Sequence, residues 1–461
     1  MTEPYADLDA YREATADERL ADYLDFLRIP SISALSEHAP DVRRAAEFVA
    51  QRLRTIGVEN VDVSETGGHP VVYGDWLHAE GAPTVIVYGH YDVQPVDPLD
   101  LWVKPPFDPR VEDGRVYARG AADDKGQVHL HLAAAEAWLK KRGALPINLR
   151  FCFEGEEESG SVHLDRWLEA NRARLQADVA VVSDSGFFEG NLPAITIGLR
   201  GLMYAQIDVT GPHLDLHSGG FGGAVRNPAT TLAEILASLH RPDGAVAVPG
   251  FYDDVRPLTD RERDQIARLP FDEQAYKQMI GVDALYGESG YSTLERRGAR
   301  PTLDVNGLWG GFQGEGAKTI IPAHAHAKIS CRLVVDQDPA RVFELVRDHV
   351  LAVAPTGVRV QVTLHSSGPP SLTPIDHPAT QAAARCLELI FGQPALYIRE
   401  GGSVPVTASF ERILGLPVVL LGFTPPDDQA HAPNESMRLD NYENGIRTVV
   451  RYWGELASLP R

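Results

Sequence analysis

An α/β domain with a central sheet, carrying a smaller α+β domain as an insert, is the architecture this sequence predicts. Three observations predict it. Short apolar runs at 84–89, 148–153, 178–182 and 417–422 have the length of buried strands, and helical stretches alternate with them. Around two helical patterns in the middle of the chain, the runs at 201–210, 325–335 and 359–367 read instead as antiparallel strands. Finally, 461 residues exceed one ordinary core. The outer domain is placed at 1–199 and 371–461, and the insert at 200–370.

In chain order, Leu20, Tyr23, Leu24 and Leu27 recur at helical spacing until Pro30 stops the run. A second helix over about 42–55 ends at Gly57, and the strand 84–89 follows. The long helix 124–141 is closed by Gly143 and leads to the strand 148–153. Within the insert, 228–240 and 339–353 read as helices, while 242–316 reads as loop-rich. Lys plus Arg total 43 and Asp plus Glu total 64, a net charge of −21, which argues against nucleic acid and anionic membrane as partners. Cys152, Cys331 and Cys386 form no CxxC pair, which suits a reducing compartment and no Cys-type metal site. Residues 1–20 lack a basic and an apolar region of signal-peptide type, and no run reaches the roughly 20 residues of a membrane span. A cytoplasmic location is expected.

The polar residues at the strand ends carry the chemistry. One strand ends at His90, followed by Asp92. A second runs into Glu154-Gly155-Glu156-Glu157-Glu158, a third ends at Asp184, and a fourth leads to His431. Open α/β sheets place their sites just beyond the carboxyl ends of strands. Asp123 sits at the mouth of a Gly-rich turn that opens a helix. Imidazole with carboxylate suits zinc, and also cobalt or manganese. Five such residues, His90, Asp123, Glu158, Asp184 and His431, are too many for one open zinc site. They suit two divalent cations about 3.5–4 Å apart sharing a carboxylate. Asp92, two residues beyond His90, is placed to accept its second ring N–H. Glu157 beside Glu158 leaves one carboxylate to bind and one to act as general base. Taken singly these residues are ordinary: a Glu run is usually a solvated loop, and Asp123-Asp124 reads equally as an N-cap pair. His324 and His326 open an alternating strand and read as an exposed or interface pair, and His129 and His131 as packing. Arg332, charged within a strand-like run, calls for an anionic partner.

The motifs GHYDVQP (89–95), RGAADDKG (119–126), EGEEESGS (154–161), SDS (183–185), GLRG (198–201), DLHSG (215–219), REGGSVPVT (399–407) and HAPNE (431–435) resemble, in family order, the M20 metallopeptidases, near their carnosinase-like dipeptidase branch. The resemblance implies a zinc-peptidase catalytic domain, with a central mixed sheet flanked by helices, and an inserted ferredoxin-like lid and dimerisation domain. It implies one zinc on His90 and Asp184, a second on Glu158 and His431, and Asp123 between them, often with a cis peptide to Asp124. Glu157 would be the general base and Asp92 the partner of His90; a shift of one along the Glu run would bring in Glu156. His217 would stabilise the oxyanion, typically in the partner subunit. Arg332, Ser403, Gly401, Gly402 and, more weakly, Thr319 match positions that hold the substrate carboxylate. The implied activity is hydrolysis of a dipeptide or similar small substrate with a free carboxylate, by a homodimer. An N-acyl amino acid deacylase is the alternative within the family. A zinc-stabilised binder of amino-acid-like ligands is the alternative outside enzymes, and Glu157 speaks against it, since a binder has no use for a free base.

Overall fold

The computed structural model describes residues 4–402 and 404–459. The chain divides into two compact units. Met1–Ile197, Thr373–Ile398 and Val404–Arg461 form the first, and Gly198–Leu372 with Arg399–Ser403 the second.

The first unit is built on a mixed sheet whose order runs Glu59–Ser64, Val71–Trp76, Asn148–Glu154, Thr84–His90, Val179–Val182, Val418–Leu420, Ala194–Leu199. Its three central pairings are parallel: Thr84–His90 with Asn148–Glu154, Thr84–His90 with Val179–Val182, and Val179–Val182 with Val418–Leu420. The carboxyl ends of four strands therefore emerge on one edge, with His90 directly opposite Glu154. Near-continuous apolar runs in these strands follow from burial on both faces. The helix Lys125–Arg142 is buried over most of its length because its Gly and Ala residues allow close packing, and Leu439–Ala457 lies against it. Gly143 closes it in the left-handed region (φ 70°). His129 and His131 are both buried in this packing. At the start of the helix, the buried Lys125 ammonium donates to the carbonyls of Ile29 (2.6 Å) and Phe26 (3.3 Å), tying the chain after the helix Ala16–Leu27 to the turn that carries Asp123.

In the second unit a four-stranded antiparallel sheet runs Thr302–Gly310, His324–Leu333, Gly201–Thr210, Arg359–Gly368. Gly201–Thr210 alternates buried and half-buried positions along its length. Its inward face packs Met203, Ala205, Ile207 and Val209 against Leu232 and Ile235 of the helix Pro228–Ser238 and Val342 and Val346 of Pro339–Val353. Region 242–316 differs from its loop-rich expectation. It contains the helices Asp260–Ala267, Glu273–Ile280 and Thr293–Gly298 and the strand Thr302–Gly310. The first two helices bury no residue, so they lack the apolar stripe that periodicity detects.

Candidate metal centre

His90 closes its strand fully buried, with its ring held at both ends. Nδ1 lies 3.1 Å from the Asp92 carbonyl and 3.4 Å from the Asp92 carboxylate, and Nε2 faces Asp123 Oδ1 at 3.0 Å. The second Asp123 oxygen lies 2.9 Å from His431 Nε2, which in turn sits 3.2 Å from Glu158. Asp123 thus presents one oxygen to each histidine. Asp184 stands 4.0 Å from His90 Nε2.

The donor atoms fall into two groups of three, each within 4.8 Å: His90, Glu157 and Asp184, and Asp123, Glu158 and His431. Each offers one imidazole and two carboxylates, the mixture that suits zinc, cobalt or manganese. All five expected ligands come together at the sheet edge. Glu157, expected as a base, joins the first group.

The supports of these groups are hydrogen bonds from the main chain. The loop after Glu154 turns through a short 3₁₀ segment, Glu157–Ser159, whose first amides donate to the Asp92 carboxylate, Glu157 at 3.3 Å and Glu158 at 3.1 Å. Asp92 therefore serves both the His90 ring and the Glu loop. Gln94 Nε2 donates to the Glu158 carboxylate at 2.7 Å. Asp124 accepts from the His90 amide at 3.0 Å, and its other oxygen is buried with no hydrogen-bond partner. The Asp123–Asp124 peptide is cis.

Glu435 was singled out by no residue-level expectation, although it ends the HAPNE stretch. It is fully buried, and its carboxylate accepts from Arg119 Nη1 (2.7 Å) and from the amides of Gly120 (3.0 Å), Ala122 (2.8 Å) and Asp123 (3.0 Å). One carboxylate four residues after His431 thereby fixes the turn that carries Asp123. The signal was present as two opposite charges, Arg119 and Glu435, in two motifs that each bear a candidate ligand. His431 itself sits at φ 60° in a loop where Gln429 and Asn434 are also left-handed. Asn434 pins that loop by accepting from the Val103 amide and donating to the Leu101 carbonyl, both at 2.9 Å.

The electrostatics are those of a crowded acidic cluster. Burial pushes Glu157 well above the usual carboxylate range, and Asp184 adds to it. Burial likewise raises Glu158 and Asp124. Asp123 goes the other way: burial works to raise it, but hydrogen bonds from His431 and His90 hold it low. Burial works to depress His90, but the Asp123 and Asp92 carboxylates hold it well above its ordinary value. So many carboxyl groups around two imidazoles is an arrangement that divalent cations would relieve.

The remaining expected residues belong to the second unit. His217 is exposed at the end of the short strand Leu216–His217, and its Nδ1 accepts from the amides of Gly219 (2.9 Å) and Gly220 (3.2 Å). Arg332 is half-buried in His324–Leu333, opposite Thr302 and Leu202. Thr319 and Gly402 are exposed, and Ser403 lies outside the described residues. His326 stacks on Trp309 (5.1 Å between centroids) and contacts Asp208 at 2.5 Å.

A family model described as Peptidase family M20/M25/M40 matches residues 86–455. The Cys-Gly metallodipeptidase of Schizosaccharomyces pombe is 36% identical over 446 residues, covering 94% of each chain. The human Beta-Ala-His dipeptidase is 33% identical over 85% of this chain and 78% of its own. The solved structure of an M20 family metallo-carboxypeptidase from Sulfolobus solfataricus is 34% identical, with a TM-score of 0.86 over 96% of this chain and 100% of that one.

Proposed function

The chain belongs to peptidase family M20/M25/M40 and is a metallopeptidase, and from that premise we propose that it is a dinuclear dipeptidase acting on small substrates with a free carboxylate. The observation that carries this reading is the pair of three-donor groups, with Asp123 offering an oxygen to a histidine of each. His90 and Asp184 would hold one cation and Glu158 and His431 the other, with Asp123 shared between the two sites. Zinc is the first choice of metal, with cobalt or manganese as alternatives. Two such cations supply a Lewis acid for the scissile carbonyl and an activated water.

The chain's own residues do the rest. Glu157 takes a proton from the attacking water and returns it to the leaving amine, so that water adds across the C–N bond with no net proton change. Asp92 fixes the His90 ring through Nδ1 and the Glu157 loop through its amides. His217 accepts two amide protons at Nδ1, so its neutral ring carries hydrogen on Nε2 and can donate to the oxyanion. Arg332, Ser403, Gly402 and Thr319 hold the substrate carboxylate. The second unit is the lid and pairs with its copy in a homodimer. No helix among the described residues is long and apolar enough to cross a membrane. With three buried free thiols, the chain suits a reducing cytoplasm.

The test is a hydrolysis screen of dipeptides, N-acetyl amino acids and carbamoyl compounds with zinc, cobalt and manganese. Dipeptides are expected to be cleaved with kcat/KM at least about 100-fold above the other classes, a gap of roughly 2.7 kcal/mol. Faster turnover of the N-acetyl amino acids would replace the dipeptidase reading with a deacylase.

A further inference from the structure

The chain on either side of Arg399–Ser403 belongs to the first unit, yet that segment belongs to the second. What holds it there is the region 242–316. The helices Asp260–Ala267 and Glu273–Ile280 of this region bury no residue, so polar contacts rather than an apolar face fix them.

Glu262, in the first of these helices, meets Arg399. Its Oε1 accepts from Arg399 Nη2, and its Oε2 accepts from the Thr259 amide and hydroxyl, both at 2.8 Å, which closes a capping box. The Arg399 side chain is 10% exposed and the Glu262 side chain 21%. Burial works to raise Glu262, but hydrogen bonds from Thr259, with Arg399 beside it, hold it below the usual carboxylate range, so both partners carry charge. The next residue, Arg263, pairs with the buried Glu295 at 3.0 Å. Glu295 lies in the helix Thr293–Gly298, and Gly298 rests on the Arg399 main chain, where a Cβ would stand 2.6 Å from the carbonyl oxygen. Two helices joined by one ion pair thus hold Arg399, one by its side chain and one by its main chain. Beyond it, the Arg200 amide donates to the Glu400 carbonyl at 3.3 Å, and a Cβ on Gly401 would stand 2.6 Å from Arg200 Nη2. The segment leading to Gly402 is therefore held at each residue from 399 to 401. Removing the Glu262 carboxylate would leave a nearly buried guanidinium to find another acceptor, and the segment would shift with it.

We propose that Glu262 is a positioning residue for substrate recognition: through Arg399 it sets the placement of Gly401, Gly402 and Ser403. This role rests on the dipeptidase reading, which gives Gly402 and Ser403 the substrate carboxylate. It adds the residue that holds them and gives the region 242–316 a task.

Steady-state kinetics of the metal-loaded enzyme on a dipeptide, and on the same dipeptide amidated at its C-terminus, test this role. Wild type is expected to favour the free acid. Glu262→Gln keeps the capping box, which Gln closes as Glu does, but removes the charge facing Arg399. It is expected to raise KM for the free acid about tenfold with kcat within about twofold, the mark of lost ground-state binding. The amide should change little, so the preference for the acid falls about tenfold. Thr259→Ala is the structural control: it removes the cap and lowers the urea midpoint but leaves Glu262 facing Arg399, and its preference should match wild type. Arg399→Gln should reproduce Glu262→Gln, and the double variant should be no worse than either, since one residue acts through the other. An unchanged acid-to-amide preference in Glu262→Gln, an equal fall in Thr259→Ala, or additive losses in the double variant would overturn the proposal. A wild type that treats acid and amide alike would reject the free-carboxylate reading itself. A wild type that prefers the acid, with a Glu262 variant that prefers it equally, would reject only the role of Glu262.

Discussion

The metal centre of the first unit and the Arg399 segment of the second hold charges in opposite ways. At the metal centre the carboxylates are buried or nearly so, and amides and one guanidinium hold the acidic side chains in place from behind: Glu157 and Glu158 amides on Asp92, three turn amides and Arg119 on Glu435. In the second unit a carboxylate, Glu262, holds a guanidinium, Arg399, and His217 stands exposed on a two-residue strand. The first arrangement is part of a core, so changing it costs stability as well as function. His217 lies at the surface, so changing it costs more function than stability.

The largest effect separates chemistry from scaffold. Glu157→Gln is expected to keep fold and metal content while kcat falls by roughly 10²–10⁴, the worth of a positioned general base. His217→Ala should lower activity by about 10²–10³ as a lost oxyanion donor, yet shift unfolding by only about 1 kcal/mol, the worth of the amide cap its Nδ1 provides. Steady-state kinetics with urea unfolding reads both, and near wild-type turnover of the Glu157 variant would move the base elsewhere, to Glu156 first.

Glu435→Ala sharpens the contrast. It strands Arg119 Nη1 and three amides without an acceptor, leaving the guanidinium only the Pro95 carbonyl, and breaking a buried pair costs about 3–5 kcal/mol. The loss is expected in unfolding of the first unit, with weaker metal retention, while Glu262→Gln in the second unit leaves both unchanged. Equal stability of the Glu435 variant and wild type would show that the turn bearing Asp123 holds itself.

The smallest effect is a pH slope. Burial pushes His131 down to about 3, and its Nε2 meets Ser183 Oγ at 2.7 Å. Ser183 donates to the Leu421 carbonyl at 2.6 Å, so the ring is the donor and is neutral. The folded state refuses a proton that the unfolded chain accepts near 6.5. The stabilisation is therefore complete above about pH 6.5 and is lost as pH falls, at about 1.4 kcal/mol per unit. Denaturation midpoints measured between pH 7 and 5 should fall less steeply in His131→Gln; parallel slopes would mean that another group, such as the buried His129, sets the acid limit.

What the sequence made legible follows the same division. The strands ending at His90, Glu154 and Val182 are short apolar runs whose polar ends stand out, and parallel pairing brings those ends together. Glu435 stayed hidden because a carboxylate in a loop after Pro433 and Asn434 has no periodicity, and its role appears only when Arg119 is seen beside it. The strand Glu59–Ser64 escaped because it is an edge strand with no fully buried residue. The helices Asp260–Ala267 and Thr293–Gly298 carried a different cue: each begins with a capping box, Thr259 with Glu262 and Ser292 with Glu295, which a search for apolar stripes passes over. The pair of Glu262 and Arg399 draws on positions 137 residues apart, and only the fold joins them.

The central claim is that Asp123 joins two cation sites into one centre. Elemental analysis of protein purified without chelator and reloaded with zinc tests it most directly. Wild type should hold two divalent ions per chain, and Asp123→Ala at most one, with activity lost. One ion per chain in fully active wild type, or two retained in Asp123→Ala, would contradict it.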